Sequence, residues 1–338
     1  MKAAVYYGKE GIRVEEKAIP QIGEKDVLVR NLRAGICGTD INIVRGGAGD
    51  RGISLGAEFG HEMVGEVVEI GEAVANDIAK GMIVGINPVT AKRAGRRQSL
   101  EASGFSEYVL IEDAALNYNL YDMGEDSSLE SAVLMEPMSV GRHGAFRANP
   151  KPTDKIVVLG AGPIGMSAAA SLIAEGFPNV CVVDTNDWRL QKAEHLGASV
   201  LNTMKQDLAT GLSEHFGEAN VYGQIVPDVD IFIDAAGAPV LFEQVMKIVK
   251  PGAKISIIAV YKDEVPVSLA QVMSKEVSIQ GASGYTDGDI RKVVDHIINK
   301  KTDIATMVTQ VFKLDDIEEA FRVAIKGEGT VKVIVDLT

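Results

Sequence analysis

The chain has 338 residues, 46% of them hydrophobic and 24% charged, enough for two domains with their own cores and too apolar for a mainly disordered polypeptide. Its formal charge of −13 argues against nucleic acid or an anionic membrane as the main partner, and no run of about eighteen apolar residues offers a membrane span. With two cysteines a disulfide framework is excluded and a reducing cytoplasm is the expected setting; the opening "MKAAVYYGKEGIRVEE" lacks the apolar core of a signal peptide.

The first part reads as strands. "KAAVYY", "DVLVRNL", "MVGEVVEIG", "GMIVGINPV" and "FSEYVLIE" are short runs rich in valine and isoleucine, broken by glycine and aspartate, as in a small barrel or folded sheet. "SSLESAVL" opens a helix, with Ser127 and Glu130 at capping-box spacing, and Pro137 should interrupt it. From Lys155 the rhythm changes. "KIVVLG", "NVCVVD", "VDIFIDAAG", "AKISIIAVY" and "EVSIQGASG" are apolar strands interleaved with helices such as "PIGMSAAASLIAEG", "DWRLQKAEHLG" and "LFEQVMKIV". That alternation implies an α/β fold with a doubly wound parallel sheet covered on both faces. Past residue 288, "DIRKVVDHIINK" and "LDDIEEAFRVAI" are amphipathic helices leading to a last strand, "VKVIVDL". The expected plan is a β-rich domain over 1–150, completed by 289–338, and a nucleotide-type domain over 151–288.

"VVLGAGPIGMS" carries G-x-G-x-x-G at Gly160, Gly162 and Gly165 between an apolar strand and a helix. Gly160 suits the tight turn, Gly162 lets a pyrophosphate approach the backbone, and Gly165 lets helix and sheet pack closely. Pro163 fits the first helical turn, whose free N–H groups and positive dipole end receive phosphate. The next strand ends at Asp184, a carboxylate placed to accept from the adenosine ribose hydroxyls and to repel a 2′-phosphate, which favours NAD over NADP; Arg189 nearby is the residue that could instead accept that phosphate. A Walker motif is excluded, because Met166 stands where lysine is required.

"GICGTD" and "GHEMVGEVVEIGEAV" supply Cys37, His61 and Glu62, and "MEPMSVG" supplies Glu136. Thiolate, imidazole and carboxylate are all zinc ligands, and a catalytic zinc keeps one position open. Spacing alone does not bring these four together. By composition alone, a lone cysteine beside a strand is more often core, and a glutamate such as Glu62 more often a solvated acid. The arrangement is not a zincin motif, since Gly65 stands where a second histidine would be needed.

The signature G-H-E-x2-G-x5-G-x2-V, met by "GHEMVGEVVEIGEAV", together with "GICGTD", "MEPMSVGRHG", "GAGPIG" and the run from Asp184 to Arg189, resembles the zinc-dependent medium-chain alcohol dehydrogenases, and within them the polyol branch of sorbitol, butanediol and threonine dehydrogenases. The resemblance implies a GroES-like catalytic domain, a Rossmann domain and one catalytic zinc in the cleft between them. It implies Cys37, His61, Glu62 and Glu136 as the metal set, the last binding directly or through water, and Thr39 as the hydroxyl that takes the substrate proton. Ile164, Asp184 and Arg189 match NAD contacts, and the turns at Ala259-Val260 and Ser283-Gly284-Tyr285 belong near the nicotinamide. The implied reaction interconverts a secondary alcohol (polyol, cyclitol or diol) and a ketone. A homo-oligomer, dimer or tetramer, formed at the Rossmann sheet edge is implied as well.

Two departures stand out. The stretch "TAKRAGRRQSLEASG" holds no cysteine, so the four-cysteine structural zinc of many relatives is excluded; its Lys92, Arg93, Arg96 and Arg97 read as a solvated loop, a subunit contact or an anion site. Asn42 stands where many relatives carry a proton-releasing histidine, and an amide does not titrate near neutrality. Arg45 and Arg51, in the glycine-rich loop, are ordinary exposed arginines or a landing point for phosphate or carboxylate. Rival readings are a zinc-free NAD(P)H reductase of the same superfamily, a dinucleotide-binding protein without turnover, and a hydrolase on Ser54 of "GISLG", which lacks the strand and helix a nucleophile elbow needs. Cys181 and the other four histidines read as core or surface residues.

Overall fold

The computed structural model describes residues 1–46, 53–93, 96–97, 102–221 and 223–338, with backbone alone at 46, 92–93 and 96–97; the expectations on Arg51 and on the side chains of Lys92, Arg93, Arg96 and Arg97 lie outside the described residues. Contacts divide the chain into two units, one of Met1–Glu136, Ile297–Lys300 and Val308–Thr338, the other of Pro137–His296 and Lys301–Met307.

The first unit begins with a hairpin of β1 (Lys2–Tyr6) and β2 (Ile12–Glu16). Its main pair is β3 (Val27–Gly35) and β4 (Glu62–Ile70), antiparallel and nine residues each. Helix α1 (Gly38–Gly46) follows β3 directly. Then come β5 (Ile83–Ile86), the two-residue strands β6 (Lys92–Arg93) and β7 (Arg96–Arg97), β8 (Tyr108–Ile111) and β9 (Leu120–Asp122). The strand interiors alternate or run apolar, so β3 buries Val27, Leu28, Val29 and Ala34 while Arg30 points outward. Each fully buried valine or leucine among them contributes roughly 1.5–3 kcal/mol.

The helix expected after "SS" is two helices. α2 (Leu129–Ala132) is capped by Ser128, whose hydroxyl accepts from Ser131 N at 3.2 Å, so the cap sits one residue beyond the Ser127–Glu130 box. α3 (Met135–Arg147) then restarts the chain with Pro137 in its first turn, where a missing N–H costs nothing, and the break falls ahead of the proline at Val133–Leu134.

The second unit is a six-stranded parallel sheet. Its strands are β10 (Ile156–Leu159), β11 (Val180–Asp184), β12 (Ser199–Asn202), β15 (Ile231–Asp234), β16 (Lys254–Ile257) and β17 (Ser278–Gly281), ordered β12-β11-β10-β15-β16-β17. A small hairpin, β13 (Glu218–Val221) and β14 (Gln224–Pro227), precedes β15 and was not foreseen. The helices are α4 (Pro163–Ala174), α5 (Asp187–His195), α6 (Leu208–Phe216), α7 (Pro239–Ile248), α8 (Leu269–Ser274) and α9 (Asp287–Ile298). Counted along the sheet strands this is the 3-2-1-4-5-6 order of a dinucleotide-binding fold, in which the strand order reverses between β10 and β15. Its core includes Val157, Leu159, Cys181, Val183, Phe232, Val245 and Ile255. Burial pushes the Cys181 thiol up to about 12, so it is inert packing.

The tail returns to the first unit. β18 (Val308–Lys313), α10 (Ile317–Lys326) and β19 (Lys332–Asp336) follow, and β19 pairs with β3 to complete a seven-stranded sheet. Phe59, Phe105 and Phe321 pack together there, with ring centroids 5.1–5.9 Å apart.

Candidate active site

The register of β3 on β4 sets Gly35 opposite Glu62, so the end of one strand and the start of the other lie side by side. Cys37, just past β3, and His61, just before β4, therefore meet although far apart in sequence. Ligand atoms of Cys37, His61 and Glu62 all lie within 4.8 Å of one another. Donors about 2.0–2.3 Å from a tetrahedral ion stand about 3.5 Å apart, so small side-chain adjustments would close this set around one.

Asp40 supports the cluster. It is fully buried in the first turn of α1; its Oδ2 accepts from Cys37 N at 2.9 Å, and its Oδ1 lies 3.4 Å from His61 Nδ1. Both Asp40 Oδ1 and His61 Nδ1 are buried without a hydrogen-bond partner. A carboxylate standing beside one ring nitrogen is the arrangement in which a metal-ligating histidine is held. Burial works against the imidazolium, yet Asp40 and Cys37 outweigh it and hold the His61 pKa well above its usual value. Glu136, second residue of α3, lies outside the group of three; burial pushes its carboxyl up to about 7, with His61 and Lys332 pulling down and Glu62 and Asp40 pushing up. Thr39 follows the cysteine on α1, partly exposed, and its N–H reaches Cys37 Sγ at 3.5 Å.

Lys332 completes the surroundings. It enters from β19 only 2% exposed, donates to Ile36 O at 3.0 Å, and forms an ion pair with Glu62. Asp40 and Lys332 escaped the sequence reading. Asp40 had a signal in its place three residues after the cysteine; Lys332 had only its position as a lone lysine in "VKVIV".

The donor set suits a borderline-soft ion such as zinc: sulfur and imidazole select against magnesium and calcium, and one carboxylate is compatible. Arg45 donates to Ile325 O at 3.0 Å. Ser54 lies in irregular chain before a turn at Leu55–Gly56, without the helix an elbow needs.

In the second unit Gly162 caps α4 with Pro163 at its first position, and Gly160 has φ +99°. A Cβ on Gly165 would overlap Gly160 O, whereas one on Gly162 would meet nothing within 4 Å, leaving that face of the turn open. Asp184 Oδ2 accepts from Ala161 N at 2.6 Å and its Oδ1 from Thr185 N and Asn186 N, so the carboxylate also ties the glycine turn to the end of β11. Ile164 lies in the first turn of α4, and Arg189 on α5 bonds through its N–H to the cap Asn186. Ala259 and Val260 follow β16, and Ser283 to Tyr285 follow β17, the C-terminal ends of parallel strands, where ligands of such sheets bind.

Comparison with known proteins agrees with both units. Residues 23–118 match the alcohol dehydrogenase GroES-like domain and residues 163–299 the zinc-binding dehydrogenase family. Sorbitol dehydrogenase 1 of Saccharomyces cerevisiae is 31% identical over 355 residues, covering 98% of this chain and 97% of that one. L-threonine 3-dehydrogenase of Paraburkholderia phytofirmans is 28% identical, covering 97% and 96%. The crystal structure of 2R,3R-butanediol dehydrogenase from Bacillus subtilis superposes with a TM-score of 0.85 at 26% identity, covering 100% of this chain and 99% of that one. The chain belongs to the zinc-binding alcohol dehydrogenases of the medium-chain type, built from a GroES-like and a Rossmann-type part.

Proposed function

We propose that this dehydrogenase interconverts a secondary alcohol, in the polyol, cyclitol or diol class, and its ketone, using one zinc per subunit and NAD. The observation that carries the proposal is the convergence of a thiol, an imidazole and a carboxylate within 4.8 Å, in a chain whose other unit presents an open glycine turn. Cys37, His61 and Glu62 would hold the metal, with Glu136 as alternate or water-mediated partner. When bound, zinc lowers the pKa of a coordinated hydroxyl and NAD takes up hydride.

The remaining work falls to side chains. Asp40 fixes the His61 ring and the Cys37 backbone, so the donors need no rearrangement of the main chain. Thr39 accepts the substrate proton on its hydroxyl as it gives its own proton to water, and Asn42, which hydrogen-bonds but does not titrate, leaves the exit to water. Gly160, Gly162, Pro163, Ile164 and Gly165 seat the pyrophosphate at the start of α4, Asp184 and Arg189 the adenosine ribose, and Ala259, Val260, Ser283 and Tyr285 the nicotinamide half. The Asp184 carboxylate at the end of β11 favours NAD over NADP. Exposed apolar residues beside β17 support a homo-oligomer through that edge, and the paucity of cysteine supports a cytoplasmic setting.

The test is direct. Zinc-replete protein, NAD and a panel of sugar alcohols, cyclitols and diols are followed by NADH absorbance, and again after chelation. NADH formation that is lost on chelation and restored by zinc is expected, together with loss of both metal and activity in Cys37→Ser. Chelation-resistant reduction of a quinone would instead establish the zinc-free reductase.

A further inference from the structure

Among the described residues Lys332 is the only buried lysine, and three elements are shaped around it. Its ammonium meets the Ile36 carbonyl, one residue before Cys37, and the Glu62 carboxylate at the start of β4. Gly35, opposite Glu62 in the register, makes the room: a Cβ there would overlap Glu62 Oε2 and come within 2.8 Å of Lys332 Cε. Around the ammonium stand three groups that bear negative charge when ionised, namely Glu62, Cys37 and Glu136. Buried like charges of that number are untenable without cations, and removing one partner from a buried ion pair leaves the other uncompensated.

We propose that Lys332 is a resident counter-cation of the metal centre: it shares Glu62 with the divalent ion, holds the pocket together when the ion is absent, and weakens the ion's grip when it is present. This rests on the zinc reading above. The ammonium sits between the Ile36 carbonyl and the Glu62 carboxylate, in space left by Gly35, which is a cation's setting. Lysine and metal are therefore two cations competing for one carboxylate. By linkage, whatever stability the metal-free protein loses without Lys332, and the zinc-loaded protein does not, must reappear as tighter zinc binding. Lys332 is a positioning residue here, acting through Glu62 and not on substrate.

The experiment compares thermal melting with and without zinc, and zinc affinity by chelator competition, in the full-length protein. Lys332→Met is expected to lower the melting temperature of the metal-free form far more than that of the loaded form, and to raise zinc affinity at least about tenfold. Lys332→Arg, which keeps the cation, should stay close to the parent in both. Lys332→Met combined with Glu62→Gln should recover metal-free stability, and this arm decides the matter if the single variant does not fold. Equal losses in both forms, a fall in zinc affinity, or no recovery in the double variant would overturn the proposal. If the parent protein takes up no zinc at all, the metal reading itself fails, which is a different outcome from a parent that binds zinc with an affinity Lys332 does not alter.

Discussion

Asp40 does two jobs with one carboxylate, and they can be separated. Its Oδ2 caps the Cys37 backbone while Oδ1 faces the His61 ring. Asp40→Asn keeps the size and one acceptor but loses the charge and places an amide donor on one of the two sides. Zinc affinity is expected to fall about 10- to 100-fold, the usual cost of losing the carboxylate behind a metal-bound imidazole, while the fold survives. Chelator competition and a melting curve read the two effects; unchanged affinity would reduce Asp40 to a helix cap. At this scale the sequence displayed Cys37, His61, Glu62 and Glu136 as residues of the right type, and family likeness grouped them. Their spacing did not, because convergence depends on which residue of β3 lies opposite which residue of β4. Lys332 was invisible for the same reason: it comes from the far end of the chain, on a strand whose neighbour is known only once the sheet is built.

At the scale of elements, the glycine turn illustrates what a pattern can and cannot say. Gly165 and Gly162 look alike in the sequence but meet opposite surroundings, one against Gly160 O and the other against open space. Gly165→Ala must push α4 off the turn, so it should cost about 1–3 kcal/mol of stability and weaken NADH binding at least tenfold. Gly162→Ala should melt like the parent, since its φ of −76° suits alanine, yet still lose cofactor affinity because its methyl fills the space the pyrophosphate would need. Calorimetric titration with NADH, paired with thermal melting, distinguishes them; equal stability losses in both would contradict the packing argument. The parallel strands were legible as continuous apolar runs because both faces of that sheet are covered. The β13–β14 hairpin was not, since its strands are short and half exposed and no Asn-Gly or Asp-Gly pair marks the turn.

For the whole molecule, the open question of assembly turns on the two edges of the parallel sheet. At one of them β17 has a partner on one side only, and α8 just before it buries none of its residues. Leu269 is 76% exposed and Met273 73%, two large apolar side chains on one short helix. An uncovered strand edge beside an apolar surface is a place where chains add to one another, and proteins that leave such an edge bare usually blunt it with charge or proline. The homo-oligomer proposed above would put a second copy here: two β17 strands running antiparallel would continue the sheet across a twofold axis, and each copy's α8 would cover the other's exposed leucine and methionine. Leu269→Asp with Met273→Asp should therefore convert an oligomer into monomers, read by light scattering during gel filtration, and abolish the dependence of melting temperature on protein concentration. Neither residue lies among those assigned to the metal or to NAD, so zinc uptake should be unchanged. A parent protein that is already monomeric at micromolar concentration, or a variant that keeps the parent's mass, would remove β17 as the interface.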